Sequence, residues 1–247
     1  MSQTFNQLAR IPKPAYFILI DPDKSGINEA IDLAKKAEKE GVDGILVGSS
    51  ILLQENLDDC IKEMKRHIKV PLIIFPGILN TFSAHADAIL FLSMISSRNP
   101  QLLIGEQVRA APLIKKLSLE AISTAYILIE SGKLTSVQFF SNSLPIPRDK
   151  IDIVAAHVLA AEFLGMKMIY LEAGSGAEEP VPPEMIREIK ALSSLPVIVG
   201  GGIKNPQTAS LLAQAGADFI VTGTVMEDNQ NHRLLQAFAQ EIHRWRK

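Results

Sequence analysis

Cysteine and tryptophan are almost missing from this sequence, with one residue of each among 247. A lone thiol, Cys60, excludes an internal disulfide framework. It also fits a protein of the reducing cytoplasm, where disulfides are rare. Because Cys60 falls in a segment of helical pattern, we expect a buried structural thiol rather than a nucleophile.

An excess of charge of one sign and a long apolar run are also missing. Lys and Arg number 25 against 27 Asp and Glu, which gives a net charge of −2. This balance provides no electrostatic argument for binding nucleic acid or an anionic membrane surface. No apolar run reaches the ~18 residues of a membrane span, and residues 1–10 do not read as a signal peptide. We therefore expect a soluble, cytoplasmic protein.

The chain instead contains a regular alternation of short β-rich runs and longer amphipathic runs. Predicted strands are Ala15–Ile20, Gly44–Val47, Pro71–Phe75, Ala88–Leu92, Ile122–Ile129, Met168–Glu172, Val197–Val199 and Phe219–Thr222. Predicted helices are Ile27–Glu40, Leu57–His67, Gln101–Leu117, Ile151–Leu164, Pro183–Leu192, Pro206–Ala215 and His232–Trp245. One segment breaks the alternation, since Leu134–Phe140 is β-rich and is predicted to form a hairpin arm.

This alternation predicts an α/β fold with a parallel sheet. Eight predicted strands with about eight crossovers in a chain of 247 residues favour a closed (β/α)₈ TIM barrel over an open doubly wound sheet, since such barrels typically have about 250 residues. With no linker or shift in composition, residues 1–247 are predicted to form a single domain. In such barrels the site lies at the C-terminal ends of the strands, and phosphate is usually bound after strands seven and eight.

The stretch Met168–Gly176 combines a strand, a carboxylate and a glycine-rich turn. Side chains alternate along a strand, so Tyr170 and Glu172 share one face while Ile169 and Leu171 take the other. Glycines beyond the carboxylate let main-chain N–H groups approach an anionic ligand closely. The alternative is a strand followed by a merely flexible turn.

Glycines also follow the last two predicted strands, in Gly200–Gly202 and at Gly223 before Thr224. Asn205 can cap the next helix, and Pro206 suits its first turn. The N-terminus of that helix then offers N–H groups and a positive dipole end. Two such turns on neighbouring final units favour a phosphate-binding barrel.

A weaker metal signal lies near the first two strands. Asp21 alternates with Leu19 and Phe17, so it is predicted to point into the barrel mouth, whereas Asp23 lies beyond the strand. Ser50 follows the second strand. A carboxylate and a hydroxyl are hard oxygen ligands that suit Mg²⁺ bridged to a substrate phosphate. The alternative is a turn aspartate beside serines in a glycine loop.

The remaining polar residues carry less information. The five histidines of the chain show no metal-ligand spacing and no nucleophile partner. Arg148 and Lys150 follow a Pro-Ile-Pro turn, where they are interpreted as solvated loop charges, with contact to an anionic substrate as the alternative.

Six short motifs occur in order along the chain: Leu19–Lys24, Gly48–Ser50, Phe75–Gly77, Tyr170–Ala177, Gly200–Ile203 and Thr222–Thr224. Together they closely resemble the motifs of the geranylgeranylglyceryl phosphate synthases. The resemblance spans essentially the whole chain in the same register, so it is specific.

This resemblance implies a modified (β/α)₈ barrel that alkylates sn-glycerol 1-phosphate with a prenyl diphosphate, most simply geranylgeranyl diphosphate. The reaction releases diphosphate, uses Mg²⁺ and belongs to ether-lipid biosynthesis. By motif, Asp21 and Ser50 would hold the metal, and we interpret Glu172 as the general base. The residues that would hold glycerol phosphate are Tyr170, Leu171, Glu172, Ala173, Gly174, Ser175, Gly176, Gly201, Gly202, Gly223 and Thr224. The resemblance also implies a homo-oligomer, and a peripheral membrane contact for product release is a further expectation.

Two departures distinguish branches within the resemblance. One branch has Lys where this chain has Leu19, and Tyr-Ser-Gly where this chain has Ala173–Gly176. This chain is therefore similar to the other branch, found in archaea and some bacteria. That branch commonly shows an aromatic pair after an Asn-Pro sequence, whereas this chain has Gln101 and Leu102.

Three alternatives to this function stay open. Because the aromatic pair is missing, a longer donor such as heptaprenyl diphosphate is an alternative substrate. Another phosphate-binding barrel, an isomerase or lyase, would need an acid–base pair over a small polar substrate. A non-catalytic barrel that binds phosphate or lipid is the third alternative.

Overall fold

The computed structural model describes residues 3–48, 57–77, 82–227 and 232–246. Eight strands in these ranges form one closed parallel barrel in sequence order, and β1 pairs with β8. The strands are β1 (Ala15–Ile20), β2 (Gly44–Val47), β3 (Leu72–Ile74), β4 (Ala88–Ser93), β5 (Glu120–Leu128), β6 (Met168–Glu172), β7 (Val197–Gly200) and β8 (Phe219–Thr222). The predicted barrel is therefore confirmed.

Helices surround the barrel and follow most of the strands. They are α1 (Gln3–Arg10), α2 (Pro22–Ser25), α3 (Ile27–Lys39), α4 (Leu57–His67), α5 (Glu106–Lys116), α6 (Ser136–Ser141), α7 (Ile151–Phe163), α8 (Pro183–Leu192), α9 (Pro206–Gln214), α10 (Thr224–Glu227) and α11 (His232–His243). A π-helical turn, Gln101–Gly105, leads directly into α5. The pattern predicted neither α1 nor the short helices α2 and α10. In the described part of the chain, no helix is both long and apolar enough to cross a membrane.

The predicted hairpin arm at Leu134–Phe140 is wrong, because most of this segment is the short helix α6. Thr135 precedes the helix in an extended conformation, and Asn142 ends it with a φ of 47° in the left-handed region. Val137 packs against the side chains that fill the barrel. Val and Phe favour strands only when a neighbouring strand is available to pair, and here tertiary packing selects a helix instead.

Two apolar clusters divide the core, as strand alternation requires. Inward-pointing side chains such as Phe17 and Tyr170 fill the barrel. Outward-pointing side chains, among them Ile169 and Leu171, pack beneath the helices. In the helical layer Cys60 is fully buried, and burial raises the pKa of its thiol to about 11. This fits the expected structural thiol.

Helix α1 closes the N-terminal end of the barrel. Its Leu8 joins the interior cluster and is only 2% exposed. The carboxylate of Glu120, at the start of β5, accepts N–H bonds from Thr4 at 2.6 Å and from Phe5 at 3.1 Å. These bonds satisfy first-turn donors that would otherwise lack partners. Helix α1 thus seals the N-terminal end of the barrel, and the opposite end carries the open cleft.

Candidate active site

A cleft of about 560 Å³ opens at the end of the barrel where the strands terminate. Its lining changes character from one side to the other. Polar groups and glycines follow β1, β6, β7 and β8, whereas apolar side chains come from β4, the π-helical turn, α5 and α6. One cleft therefore joins a polar end to an apolar arm.

Glycines shape the polar end by adopting backbone conformations that other residues rarely adopt. Gly174 and Gly201 have φ values of 101° and 83°. A Cβ on Gly201 would lie 2.5 Å from the nitrogen of Gly174, so the loops after β6 and β7 pack backbone against backbone. The hydroxyls of Ser175 and Thr224 lie 3.2 Å apart, which brings the loop after β8 to the same place.

The helix after β7 begins as predicted. The side chain of Asn205 accepts a hydrogen bond from the N–H of Thr208 at 2.8 Å, and Pro206 occupies the first turn of α9. Gly201 and Gly202, which precede this cap, both line the cleft. The positive end of the helix dipole is thus close to a lining of exposed backbone, an arrangement that favours an anion.

Glu172 lies at the end of β6 and is only 6% exposed. Its Oε1 accepts the N–H of Gly174 at 2.5 Å. The phenols of Tyr170 and Tyr126, which also line the cleft, are its further neighbouring donors. Burial raises the pKa of Glu172 to about 7, although the Gly174 N–H and the two phenols favour its charged form. Near neutral pH this carboxylate can therefore both accept and return a proton.

Tyr126 is a site residue that the sequence reasoning missed. It is the partner of Tyr170 in the pairing of β5 with β6, and their ring centroids are 5.5 Å apart. Phe75, after β3, tilts against both rings, with centroid distances of 5.3 Å to Tyr170 and 6.2 Å to Tyr126. The inward position of Tyr126 on β5 was readable from strand alternation, but the proximity of Tyr126 to Glu172 depends on the register between the strands.

Asp21 directly follows β1 and lines the cleft while remaining only 7% exposed. One of its oxygens accepts the N–H of Asp23 at 3.1 Å, which caps α2. The ammonium of Lys24 is 3.9 Å from the other oxygen. Ser50, the second predicted metal ligand, lies outside the described residues.

These donors are compatible with Mg²⁺ held mainly by a substrate. Magnesium typically takes one or two protein carboxylates together with water and phosphate oxygens. Asp21 supplies one such carboxylate at the polar end of the cleft. Within the four described ranges, no three His, Cys, Asp or Glu residues form a cluster that could hold a metal. These residues therefore do not provide a site in which protein side chains alone surround the ion.

The apolar arm runs outward from the barrel mouth. Its lining includes Leu90 from the barrel interior, but also Ile89 and Ile114, which belong to the layer between strands and helices. The amide of Gln107 on α5 donates to the carbonyls of Leu92 and Leu102 and thereby ties the helix to β4 and to the π-helical turn. Further lining residues are Phe82, Phe91, Met94, Ala110, Val137 and Phe140. This arm is suited to a long hydrocarbon.

The structure brings most of the predicted site residues to this cleft. Those that line it are Asp21, Tyr170, Glu172, Ser175, Gly176, Gly201, Gly202, Gly223 and Thr224. Leu171 and Ala173 instead point into the outer core, and Gly174 is buried below, where it donates to Glu172. Lys133 also lines the cleft, and the sequence reasoning did not single it out.

The two basic residues left open by the sequence do not line the cleft. Arg148 donates to the carbonyls of Glu130 at 3.2 Å and Pro180 at 2.7 Å, so it ties together the loops after β5 and β6. Lys150 is an exposed residue with Asp149 as its ion-pair partner at 3.6 Å. Arg148 is thus a structural clamp rather than a solvated charge.

A (β/α)₈ barrel with glycine-rich loops after its last three strands belongs to the class of barrels that bind phosphate esters. Within that class, the chain belongs to the PcrB family, whose model matches residues 9–242. The synthases named among its relatives confirm the resemblance seen in the motifs.

Known relatives resemble the chain over nearly its full length. It is 46% identical to the geranylgeranylglyceryl phosphate synthase of Methanosphaera stadtmanae, covering 92% of this chain and 93% of that protein. It is 43% identical to the synthase of Chitinophaga pinensis, covering 93% and 90%. The crystal structure of (S)-3-O-geranylgeranylglyceryl phosphate synthase from Thermoplasma acidophilum, in complex with sn-glycerol-1-phosphate, superposes with a TM-score of 0.91 at 35% identity and covers 98% of both chains.

Proposed function

We propose that this protein is a prenyltransferase that joins sn-glycerol 1-phosphate to geranylgeranyl diphosphate through an ether bond. The observation that supports this proposal most directly is that one cleft contains both a polar end and an apolar arm. Glycine loops and Glu172 form one end, which suits a small phosphate ester. The apolar arm forms the other end, which suits a long isoprenoid. The names of the relatives and the substrate bound in the Thermoplasma acidophilum structure support the same reaction.

The chemistry requires one proton to be removed. The C3 hydroxyl of glycerol phosphate attacks C1 of the prenyl group, the C–O bond to diphosphate breaks, and diphosphate leaves with the bonding electrons. Glu172 accepts the hydroxyl proton as the new C–O bond forms. With a pKa of about 7, its basicity is matched to neutral pH, which is the condition for efficient proton transfer.

Electrostatics determine which end of glycerol phosphate Glu172 faces. Two like charges ~4 Å apart cost ~1 kcal/mol in water and ~4 kcal/mol at an effective dielectric constant of 20. The phosphate therefore sits in the glycine loops, and the carboxylate faces the C3 hydroxyl at the far end. A Cβ on Gly201 or on Gly202 would collide with backbone of the segment after β6, so only glycine fits at these two positions of the cleft lining.

Asp21 is the residue that would hold Mg²⁺, together with Ser50. When bound, the ion supplies positive charge beside the departing diphosphate. Asp21 lines the cleft, whereas Asp23 is not among its lining residues. We therefore expect Asp21→Asn to raise the Mg²⁺ concentration needed for half-maximal rate at least tenfold, and Asp23→Asn to change it little. Mn²⁺ binding followed by electron paramagnetic resonance gives a readout independent of turnover, and equal losses in both variants would contradict this assignment.

The proposed reaction is tested by incubating the protein with sn-glycerol 1-phosphate and radiolabelled prenyl diphosphates of several lengths, with and without Mg²⁺. We expect a labelled prenyl ether with geranylgeranyl diphosphate, and sn-glycerol 3-phosphate serves as the enantiomeric control. Preference for heptaprenyl diphosphate would retain the reaction but change the donor. Ligand binding without product would indicate a non-catalytic barrel, and turnover of a sugar phosphate would indicate an isomerase or lyase.

Self-association and location are part of the same proposal. A homo-oligomer is supported by α7, whose outward side carries exposed Ile153 and Phe163, with exposed Leu164 just beyond it. A reducing cytoplasm is supported by the buried thiol of Cys60. Contact with a membrane surface during product release would follow from the hydrophobicity of the product. Light scattering that finds a monomer at micromolar concentration would contradict the oligomer.

A further inference from the structure

Two phenols converge on Glu172 from neighbouring strands. Tyr170 lies two residues before Glu172 on β6, and Tyr126 is its direct partner on β5. Both rings are buried, with exposed fractions of 5% or less, and they are held by mutual contact and by Phe75. This packing fixes both phenols in the cleft lining that also contains Glu172, and both favour the ionised form of its carboxylate.

We propose that Tyr126 is a positioning residue that holds the Glu172 carboxylate toward the C3 hydroxyl and keeps it available as a base. This inference rests on the proposed function and extends it to a residue outside the motifs. A carboxylate has about four acceptor positions. The Gly174 N–H uses one of them, which leaves positions for the neighbouring phenols and for the proton of a substrate.

Two opposing effects determine the pKa of Glu172, and the phenol of Tyr126 contributes to one of them. Burial disfavours the ionised carboxylate, and hydrogen bonds to the ionised form oppose that cost. The donors that contact Glu172 are the N–H of Gly174 and the phenols of Tyr126 and Tyr170. Charged groups elsewhere in the cleft lining are Asp21, Lys24, Glu106, Lys133 and Lys204. Removing one phenol should therefore make Glu172 harder to ionise without changing the shape of the site.

The test is Tyr126→Phe, with Tyr16→Phe as a matched control. Tyr16 is also fully buried, but its hydroxyl pairs with Thr222 at 2.8 Å in the outer layer. Glutamate labelled with ¹³C at its carboxyl carbon lets the Glu172 titration be followed by NMR in the ligand-free protein, with Glu172→Gln to assign the signal. In parallel, kcat/KM for prenyl transfer is measured from pH 5.5 to 9.5.

We expect Tyr126→Phe to raise the pKa of Glu172 by about one to two units, the usual worth of a hydrogen bond to a charged group. The rate at pH 7 then falls by about five- to fiftyfold, and the loss shrinks as pH rises. Tyr16→Phe should shift neither quantity. Replacing Tyr126 alone by 3-fluorotyrosine, whose phenol is more acidic, should lower the pKa of Glu172.

Two outcomes would overturn the inference: an unshifted Glu172 titration in Tyr126→Phe, or a rate loss that is the same at every pH. The NMR titration also separates the two proposals. If the wild-type protein makes no prenyl ether but the Glu172 titration shifts as expected, the proposed function fails, whereas the effect of Tyr126 on the ionisation of Glu172 stands.

Discussion

The two ends of the barrel each carry an acidic residue removed from solvent, and the two residues behave in opposite ways. Glu172 at the open end is surrounded by neutral donors, and burial raises its pKa to about 7. Asp43, just before β2 at the closed end, has the guanidinium of Arg246 and the imidazole of His243 as partners. Arg246 lies 2.6 Å from its carboxylate and His243 lies 2.8 Å away.

The partners and the burial both differ, since Glu172 is buried among neutral donors whereas Asp43 is only half-buried and has a guanidinium partner. Burial by itself would raise the pKa of Asp43, but hydrogen bonds from His243, the Tyr16 N–H and Arg246 lower it below the usual value. Asp43 therefore stays ionised and links β1, β2 and the C-terminal segment. A carboxylate with cationic partners stabilises the fold, whereas one with neutral donors is costly to ionise and is suited to move a proton.

The largest expected effect is on rate, from Glu172→Gln. The amide keeps the shape of the carboxylate but cannot accept the proton, so the single-turnover rate should fall by about 10²–10⁴-fold. Calorimetry should show that affinity for glycerol phosphate is retained. If affinity were lost while the rate at saturation survived, Glu172 would be a substrate anchor and not the base.

The next effect concerns how stability depends on pH. The pKa of Glu172 is about 7 in the folded protein against a usual value of 4.5, so the folded state binds the proton more tightly than the unfolded chain. Between about pH 4.5 and 7, wild type should therefore lose stability relative to Glu172→Gln, reaching about 3 kcal/mol above pH 7. Urea unfolding of both proteins across this range measures the difference. Parallel pH profiles would show that Glu172 is not perturbed in the folded state.

A smaller effect on stability is expected from Asp43→Asn, which leaves the cation of Arg246 poorly paired. We expect a loss of about 2 kcal/mol in the free energy of unfolding at pH 7. Because the folded pKa of Asp43 is lowered, its contribution is present above about pH 4 and disappears as pH falls through that folded value. The urea midpoint should fall with an unchanged slope, and the rate per folded molecule should not change. Glu63→Gln, at an exposed ion pair with Arg66, is the matched control, for which no change is expected.

The smallest effect should come from His243→Gln, which removes one donor from Asp43 but leaves Arg246 in place. A single hydrogen bond is worth about 1 kcal/mol net, so the loss of stability should be about that size or less. Thermal unfolding at pH 7 measures it. A loss larger than that of Asp43→Asn would mean that His243, rather than Arg246, is the main partner at the closed end.

The barrel was predictable because the strands are short and apolar and most of them are followed by a helix, a local pattern typical of a parallel sheet. The polar end was predictable because glycines and Glu172 occur directly where strands end. Tyr126 was not predictable as a partner of Glu172, since that contact depends on the register of β5 against β6. The apolar arm was also missed, because α5 reads as an ordinary surface helix although Ala110 and Ile114 line a cleft.

The segment around α6 shows a further limit of local patterns. Its Val and Phe residues favour a strand in isolation, but the closed barrel leaves no edge with which an added strand could pair. Val137 packs instead over the barrel interior, and the helix forms one wall of the apolar arm. The tertiary fold, rather than the local sequence of Leu134–Phe140, therefore determines that this segment is helical.

The apolar arm extends into the layer of side chains that packs between the sheet and the helices. Ile89 and Ile114 belong to that packing layer and yet face the cleft. A hydrocarbon tail that enters the arm thus completes the hydrophobic core of the protein itself. Such burial carries a negative change in heat capacity and stabilises the folded state by mass action, so a lipid bound in the arm would be a structural component for as long as it remains there.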